Sequence, residues 1–374
     1  MGNRKSICFI ATAEFAVSAF LVSHLKELSK YYDLTVIVNL KNPKFLIDQK
    51  LDIKLININF SRKISIFLDC LSFVQLTYLF LIKRYDAVHS ITPKAGLLAM
   101  TASFLTFIPI RVHCFTGQVW VTKSGLSRLL LKLIDKVVGI LSTQNIVDSK
   151  SQYKFLVKEN VLKKDKSLVF GSGSVSGIDL LKFKPNKKVK VKLRNKLKIP
   201  SASFVFIFLG RLNSDKGIYD LIHSFKSADL KSAYLLLIGP DEENISTKFK
   251  SNHSNIIFSG ATSSPQDYLA ASDVLCLPSY REGFGNVVIE AAASGLPSIV
   301  SNIYGLSDAI IRNNTGLAHE PKDLKEITRL MIAVFNDRKL VANLGKAAQK
   351  RAISEFDSKI LVKHWKDFYQ HNLT

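Results

Sequence analysis

With 374 residues and a hydrophobic content of 47%, the chain is long enough for two or three domains that each bury a core, which excludes a disordered or fibrous protein. A formal net charge of +22 predicts attraction to polyanions: nucleic acid, an anionic membrane or phosphorylated ligands. No RNA-recognition signature, zinc finger or helix-turn-helix pattern accompanies the charge, so a membrane surface is favoured and nucleic acid is set aside as a partner.

In chain order, Met1 to Lys5 run straight into a strand-like stretch at 6–12. A signal peptide needs a longer apolar run and a small-residue cleavage site, and neither is expected here. Further strands are expected at 34–38, 53–56, 87–90, 110–115, 145–147 and 168–170, with helices at 18–31, 95–107 and 126–141. Residues 64–82 are mostly apolar and close to the ~20 residues a spanning helix needs. Ser65, Asp69, Ser72 and Gln75 give this segment a narrow polar stripe, and Asp69 at mid-bilayer would be costly. A core or surface helix is therefore expected, with an interfacial helix touching lipid as the alternative. Arg62, Lys63, Lys83 and Arg84 at its ends suit phosphate headgroups.

Gly171, Gly173 and Gly177 then break the pattern, and Pro185 and Pro200 bracket the densest basic run, 182–198. The division between domains is expected within 171–200, with the basic run read as a solvated helix face and linker. The second half repeats the alternation, with strands at 204–209, 233–238, 256–258, 274–277 and 298–300 and helices near 218–228, 286–294 and 324–335. Residues 358–371 form a last helical stretch carrying Trp365, Phe368 and Tyr369. Apolar strands alternating with helices imply parallel sheets covered on both faces, in two doubly wound domains. The four cysteines, Cys8, Cys70, Cys114 and Cys276, have no paired or zinc-like spacing, which fits structural thiols in a reducing compartment.

Two loops carry the chemistry. Gly210-Arg211-Leu-Asn-Ser-Asp-Lys216-Gly217 follows the strand at 204–209 and precedes a helix. Ligands of doubly wound sheets sit at the carboxyl ends of strands. There Arg211 and Lys216 can each neutralise one phosphate of a diphosphate, the first bidentately and the second as a point charge. The pattern alone also describes an ordinary loop. The second loop is Tyr280-Arg281-Glu282-Gly283-Phe284-Gly285-Asn286, running on to Glu290-Ala291. Asn286 is expected as the N-cap of a helix whose dipole and N–H groups favour an anion. Glu282 can accept hydrogen bonds from sugar hydroxyls and Glu290 from a ribose. The alternative is a surface Glu282, with Glu290 offsetting the helix dipole. In this order, about 70 residues apart, the two loops suit a nucleotide sugar.

These motifs resemble the retaining glycosyltransferases of family 4, of GT-B fold. The resemblance is most specific over 210–217 and 279–297 and extends through Gly173-Ser-Val-Ser-Gly-Ile-Asp179 to Phe183-Lys-Pro185. His89-Ser-Ile-Thr-Pro-Lys-Ala-Gly96 and Thr116-Gly-Gln-Val-Trp120 resemble the acceptor domain of bacterial O-antigen and capsule members. The resemblance implies an α/β chain of two Rossmann-like domains facing across a cleft. An acceptor-binding domain would span 1–175, with 358–374 packing back on it, and a nucleotide-sugar domain 176–357. It implies that Arg211 and Lys216 hold the donor diphosphate and that Glu282 contacts the donor sugar. Gly210, Gly283, Phe284, Gly285, Asn286 and Val287 would line the donor, and Glu290 would bind its ribose. His89, Lys94, His113, Thr116 and Gly117 become candidates for the acceptor side. Residues 260–264 would face the base.

The implied reaction retains anomeric configuration by front-face attack, with Glu282 as a positioning residue. No metal or cofactor is expected, and the chain has no Asp-x-Asp motif. Two departures from the family stand out. Residues 11–18 lack the glycines many relatives carry after the first strand, and His113 is read as a core residue inside its strand. The expectation is a cytoplasmic enzyme, peripheral on the inner membrane face. It would move a sugar from a nucleotide-diphosphate donor, UDP at family level, to a lipid-linked glycan of a bacterial surface polysaccharide. The alternatives are a GT-B epimerase or hydrolase of the nucleotide sugar, a non-catalytic membrane-associated assembly subunit, and a nucleic-acid binder driven by charge alone.

Overall fold

The computed structural model describes residues 4–61, 65–249 and 255–373. The chain forms two compact units, Met1–Gly177 with Ser358–Thr374, and Ile178–Asp357. In the first unit, seven parallel strands run β1 (Ser6–Ile10), β2 (Asp33–Val38), β3 (Lys54–Asn57), β4 (Ala87–Ile91), β5 (Ile110–Phe115), β6 (Gln144–Val147) and β7 (Ser167–Leu168). Their spatial order is β3-β2-β1-β4-β5-β6-β7, which reverses direction between β1 and β4. In the second unit β8 (Phe204–Leu209), β9 (Ala233–Ile238), β10 (Ile256–Gly260), β11 (Val274–Leu277), β12 (Ser298–Ser301) and β13 (Gly316–His319) lie in the order β10-β9-β8-β11-β12-β13. Here the order reverses between β8 and β11, so the loops after those two strands flank the point where such sheets hold ligands.

Strand interiors explain the pattern. Phe204, Val205, Phe206, Ile207 and Phe208 are all buried, because helices cover both faces of the sheet and every position must be apolar. The four-residue β13 and the helix Arg338–Glu355 were not foreseen, and the single helix expected at 18–31 is two, Glu14–Phe20 and Val22–Leu28. The basic run forms the helix Lys187–Lys196, capped by the Asn186 side chain, which accepts from the Val189 amide. One of its cations is structural. Arg194 is buried, donates to the carbonyls of Ala271, Ser201 and Ser203, and pairs with Asp273 at 2.8 Å.

The apolar segment expected at 64–82 is a surface helix, Ile66–Lys83, whose Ser72, Leu76 and Phe80 are buried. Among the described residues it is the one helix that is long and apolar enough to cross a membrane by length and composition. Arg62 and Lys63 lie outside the described residues. The stripe residue Asp69 accepts from Lys94 Nζ at 2.8 and 3.0 Å and from the Ser65 amide.

The C-terminal helix Ser358–Leu373 belongs to the first unit. Its buried Leu361, Trp365, Phe368, Tyr369 and Leu373 recur at helical spacing and close one face of that unit's sheet. Trp365 donates its Nε1–H to the Val175 carbonyl at 2.9 Å and packs against Phe170 and His89. Trp365→Ala is expected to destabilise the first unit by about 3–5 kcal/mol, the usual range for emptying a buried Trp site. Urea unfolding, with local signals read separately in each unit, checks this: an unshifted first-unit midpoint would contradict it.

Candidate functional site

The two loops at the switch point of the second sheet are knitted into one structure. Behind β8, the Gly210 amide donates to the Ile238 carbonyl and the Leu212 amide to the Pro240 carbonyl, fixing where the chain leaves the sheet. A short 3₁₀ turn, Ser214–Lys216, follows, with the Asn213 side chain accepting from the Lys216 amide. Gly217 then starts the helix Ile218–Ala228 at φ +65°, where a Cβ would sit 2.0 Å from the Pro278 carbonyl oxygen of the other loop. No side chain fits at that contact.

Four further contacts join the loops. The Tyr280 amide donates to the Asp215 carbonyl at 2.9 Å, and the Tyr280 hydroxyl to Asp220 at 2.7 Å. Arg281 pairs with Asp215 through Nε and Nη2 at 3.0 and 2.9 Å. Lys216 Nζ meets Glu282 Oε1 at 2.5 Å, and Ser279 Oγ donates to the same oxygen at 2.9 Å. The structure thus brings Lys216 and Glu282 together and fixes Glu282 by one of its two oxygens.

The cap of the following helix corrects an expectation. The helix is Asn286–Ala293, and its N-cap is Gly285 at φ +84°, with Asn286 its first helical residue. Glycine adopts this left-handed conformation without cost, and a Cβ there would lie 2.4 Å from Leu306 Cδ2. Phe284 is buried against Phe356 and anchors the loop. Gly283 is buried, and Val287 lies in the first turn of the helix.

Arg211 is paired by residues outside both motifs. Its Nη1 meets Glu242 Oε2 at 3.1 Å, and Asn213 Nδ2 donates to the same oxygen at 2.7 Å. Glu243 accepts from the Ser214 amide and hydroxyl, both at 2.9 Å. The signal for this was present but unused: Asp241-Glu242-Glu243 follows β9 directly after Gly239-Pro240. The carboxyl of Glu290, in the second turn of its helix, has no hydrogen-bond or ion-pair partner among the described residues. Burial pushes its carboxyl up to about 7, with the charge of Lys182 opposing.

In the first unit the expected acceptor-side residues divide. His89 and His113 lie within β4 and β5, and both are buried. The His89 ring sits between the Tyr369 hydroxyl (2.7 Å) and Cys114 Sγ (3.1 Å), and the His113 ring meets Ser90 Oγ at 2.8 Å. Burial holds His89 well below its ordinary range and takes His113 down to about 3. Both are neutral core histidines, which removes them from the acceptor side. Lys94, partly buried, is held by Asp69. Thr116 and Gly117 follow β5 at the carboxyl edge of the sheet and are partly exposed. The sequence reading missed Thr12 and Thr92, whose hydroxyls meet at 3.2 Å where the β1 and β4 loops diverge. Thr92 has φ +80°, an outlier for a β-branched residue. Among the described residues, no three His, Cys, Asp or Glu side chains are grouped as a metal site would require.

The Glu290 environment has a consequence for stability. Its folded-state carboxyl keeps its proton up to about 7, against an ordinary value of 4.5, so the folded chain binds more protons than the unfolded chain across that interval. Stability is therefore expected to fall as pH rises through the interval and to level off above it. Glu290→Gln should flatten that slope, as read from urea midpoints between about pH 5 and pH 8. Parallel slopes for the two proteins would overturn the assignment.

Comparison with known proteins places these residues in a family. The family described as "Glycosyl transferases group 1" matches residues 189–351, a span that includes both loops. The capsular polysaccharide biosynthesis glycosyltransferase CapM of Staphylococcus aureus is 33% identical over 316 residues, 82% of each chain. An Escherichia coli relative, named UDP-Gal:alpha-D-GlcNAc-diphosphoundecaprenol alpha-1,3-galactosyltransferase, is 28% identical over 82% of this chain and 81% of its own. Among solved structures, sucrose-phosphate synthase from Thermosynechococcus elongatus superposes with a TM-score of 0.82 at 19% identity, covering 98% of this chain and 99% of its own. The two parallel-sheet units have the GT-B architecture. With an Arg- and Lys-bearing loop and a carboxylate-bearing loop locked together at the switch point of the second sheet, the chain belongs to the group 1 glycosyltransferases and is an enzyme of that class.

Proposed function

We propose that the chain transfers a hexosyl or N-acetylhexosaminyl group from a UDP-sugar, with retention of configuration, to a lipid-linked glycan in the assembly of a bacterial surface polysaccharide. The observation that carries this reading is the interlocked pair of loops: Arg211 and Lys216 on one, Glu282 and the N-terminus of the helix Asn286–Ala293 on the other. The name of the E. coli relative, which specifies a UDP-sugar and a diphosphoundecaprenol-linked acceptor, supports the donor and acceptor classes.

In this reading the donor diphosphate exchanges its solvent for Arg211, Lys216 and the positive end of that helix. The bond from the anomeric carbon to the phosphate oxygen breaks, its electron pair leaves with UDP, and the cations stabilise the departing charge. The acceptor hydroxyl attacks from the same face and passes its proton to a phosphate oxygen of the leaving group. Glu282 acts by position. Lys216 and Ser279 occupy one oxygen, leaving the other to accept from donor-sugar hydroxyls. Glu290 accepts from the ribose, its open hydrogen-bonding capacity being what a diol fills, and residues 260–264 face the base. Gly210, Gly283, Phe284, Gly285, Asn286 and Val287 shape the donor site through the backbone. No metal ion or cofactor takes part in this scheme. Residues 178–357 thereby form the nucleotide-sugar domain. The acceptor domain is the other unit, with Thr116, Gly117 and Lys94 at its carboxyl edge. The enzyme works in the cytoplasm, peripheral on the inner face of the membrane.

Transfer of radiolabelled sugar to membrane extract, across a panel of UDP- and GDP-sugars, tests this. Arg211→Ala and Glu282→Gln are each expected to lower kcat/KM by about 10²–10³-fold, the range for losing one fixed electrostatic contact. UDP should stabilise the wild-type protein thermally. Equal transfer by wild type and Glu282→Gln would defeat the site assignment, and turnover of the donor with no acceptor present would favour an epimerase or hydrolase.

A further inference from the structure

One face of the first unit's sheet is covered by three neighbouring helices, with Pro93–Leu105 in the middle, Ile66–Lys83 on one side and Gly125–Leu141 on the other. They share a core that includes Leu76, Phe80, Leu98, Met100 and Val138. Their outer sides are apolar as well. On Ile66–Lys83, the exposed Phe67, Leu71, Val74, Tyr78 and Leu81 are spaced four, three, four and three apart, forming one straight stripe. On Gly125–Leu141, Leu126, Leu129, Leu130, Leu133 and Ile140 form a second stripe, with Leu126 80% exposed. Phe104 and Leu105 end the middle helix and Phe107 lies just beyond it, 89% exposed. Single exposed apolar residues are ordinary, but stripes on adjacent elements mark a surface that something covers.

The charges identify the cover. These three helices carry two carboxylates, and neither is free: Asp69 is held by Lys94, and Asp135 is buried, accepting from Trp120 Nε1 at 2.8 Å. Lys83, Arg84, Lys123 and Lys136 border the stripes and are exposed. A second copy of the chain would bring cations against cations and add one net charge of +22 to another. An anionic bilayer supplies apolar depth and the opposite sign together. A spanning arrangement is incompatible with the packing, because Ser72, Leu76 and Phe80 lock Ile66–Lys83 onto the protein.

We propose that the outward faces of Ile66–Lys83 and Gly125–Leu141 together form an in-plane docking surface for an anionic phospholipid bilayer, with Leu126, Leu129 and Leu133 entering the acyl boundary. This deepens the reading of a lipid-linked acceptor and rests on it for its purpose, though not for its test. Both helices follow strands of a parallel sheet, so both begin at its carboxyl edge, beside Lys94 and Thr116. A bilayer seated on them brings a membrane-anchored head group to that edge.

Co-sedimentation with phosphatidylglycerol/phosphatidylcholine vesicles and with pure phosphatidylcholine vesicles, without any donor sugar, tests the proposal. Wild type is expected to bind the mixed vesicles and to lose most of that binding on pure phosphatidylcholine. Leu129→Glu/Leu133→Glu and, independently, Val74→Glu/Tyr78→Glu are each expected to weaken partitioning to mixed vesicles at least tenfold, with circular dichroism and UDP-induced thermal stabilisation unchanged. Wild-type partitioning by both folded double variants overturns the proposal. So does a wild-type dimer in analytical ultracentrifugation that these substitutions dissociate, since the face would then be a protein interface. Loss of UDP stabilisation in wild type would sink the transferase reading and leave the vesicle result standing.

Discussion

The contact of Gly217 with the Pro278 carbonyl is the constraint on which the rest of the candidate site depends. Parallel sheets leave their ligand-facing loops unconnected, and each loop would wander without a partner. Here the backbone of one loop is pressed against the backbone of the other at a separation that no side chain could occupy. Once Gly217 is seated, Lys216 is delivered to Glu282, Asp215 to Arg281 and Asp220 to Tyr280. The ion pairs are consequences of that approach, because partly exposed pairs of this kind contribute little by themselves.

The second property of the site is that its cations are already partnered. Arg211 has Glu242, Lys216 has Glu282 and Arg281 has Asp215. A cluster of alternating sign keeps long side chains in fixed geometry without leaving a bare positive pocket to attract every anion. On the proposed reading, a diphosphate would gain affinity there only by meeting Arg211 and Lys216 more favourably than the carboxylates do, which would turn charge attraction into selection for a ligand of the right span. Glu290 differs. Its carboxyl has no fixed partner among the described residues, and burial raises its pKa, with the charge of Lys182 offsetting only part of that effect.

How much of this was legible in the sequence depended on whether the deciding contact was local. Strands at 204–209, 233–238 and 274–277 were read to the residue, because a strand buried on both faces is a continuous apolar run. The two loops were legible because glycine, Arg, Lys and Glu at a strand end carry their chemistry in their identities. The N-cap was misassigned because Asn286 has the right side chain for a cap, whereas Gly285, left-handed and with Leu306 filling the space of a Cβ, took the position. His89 was misread for a more distant reason: its burial is completed by Tyr369, 280 positions along the chain. Glu242 and the Thr12–Thr92 pair were missed in the same way, since each contact joins loops that only the sheet order brings together.

The first unit shows why an apolar surface helix and a core helix look alike in sequence. Ile66–Lys83 and Ser358–Leu373 both carry large apolar residues, and both lie on the same sheet. Ser358–Leu373 turns Trp365, Phe368 and Tyr369 inward, where they contact Phe170, Phe9 and His89. Ile66–Lys83 fully buries Ser72, Leu76 and Phe80, packs Phe73 and Leu79 partly against the same core, and leaves a longer apolar stripe outside. The difference lies in supply: a sheet face offers a limited area, and three helices crowd the face on which Ile66–Lys83 lies. Each can bury one narrow strip, so apolar residues beyond that strip cannot serve the fold. Their retention beside exposed lysines, with every carboxylate of those helices tied down, matches a surface shaped by the medium outside it.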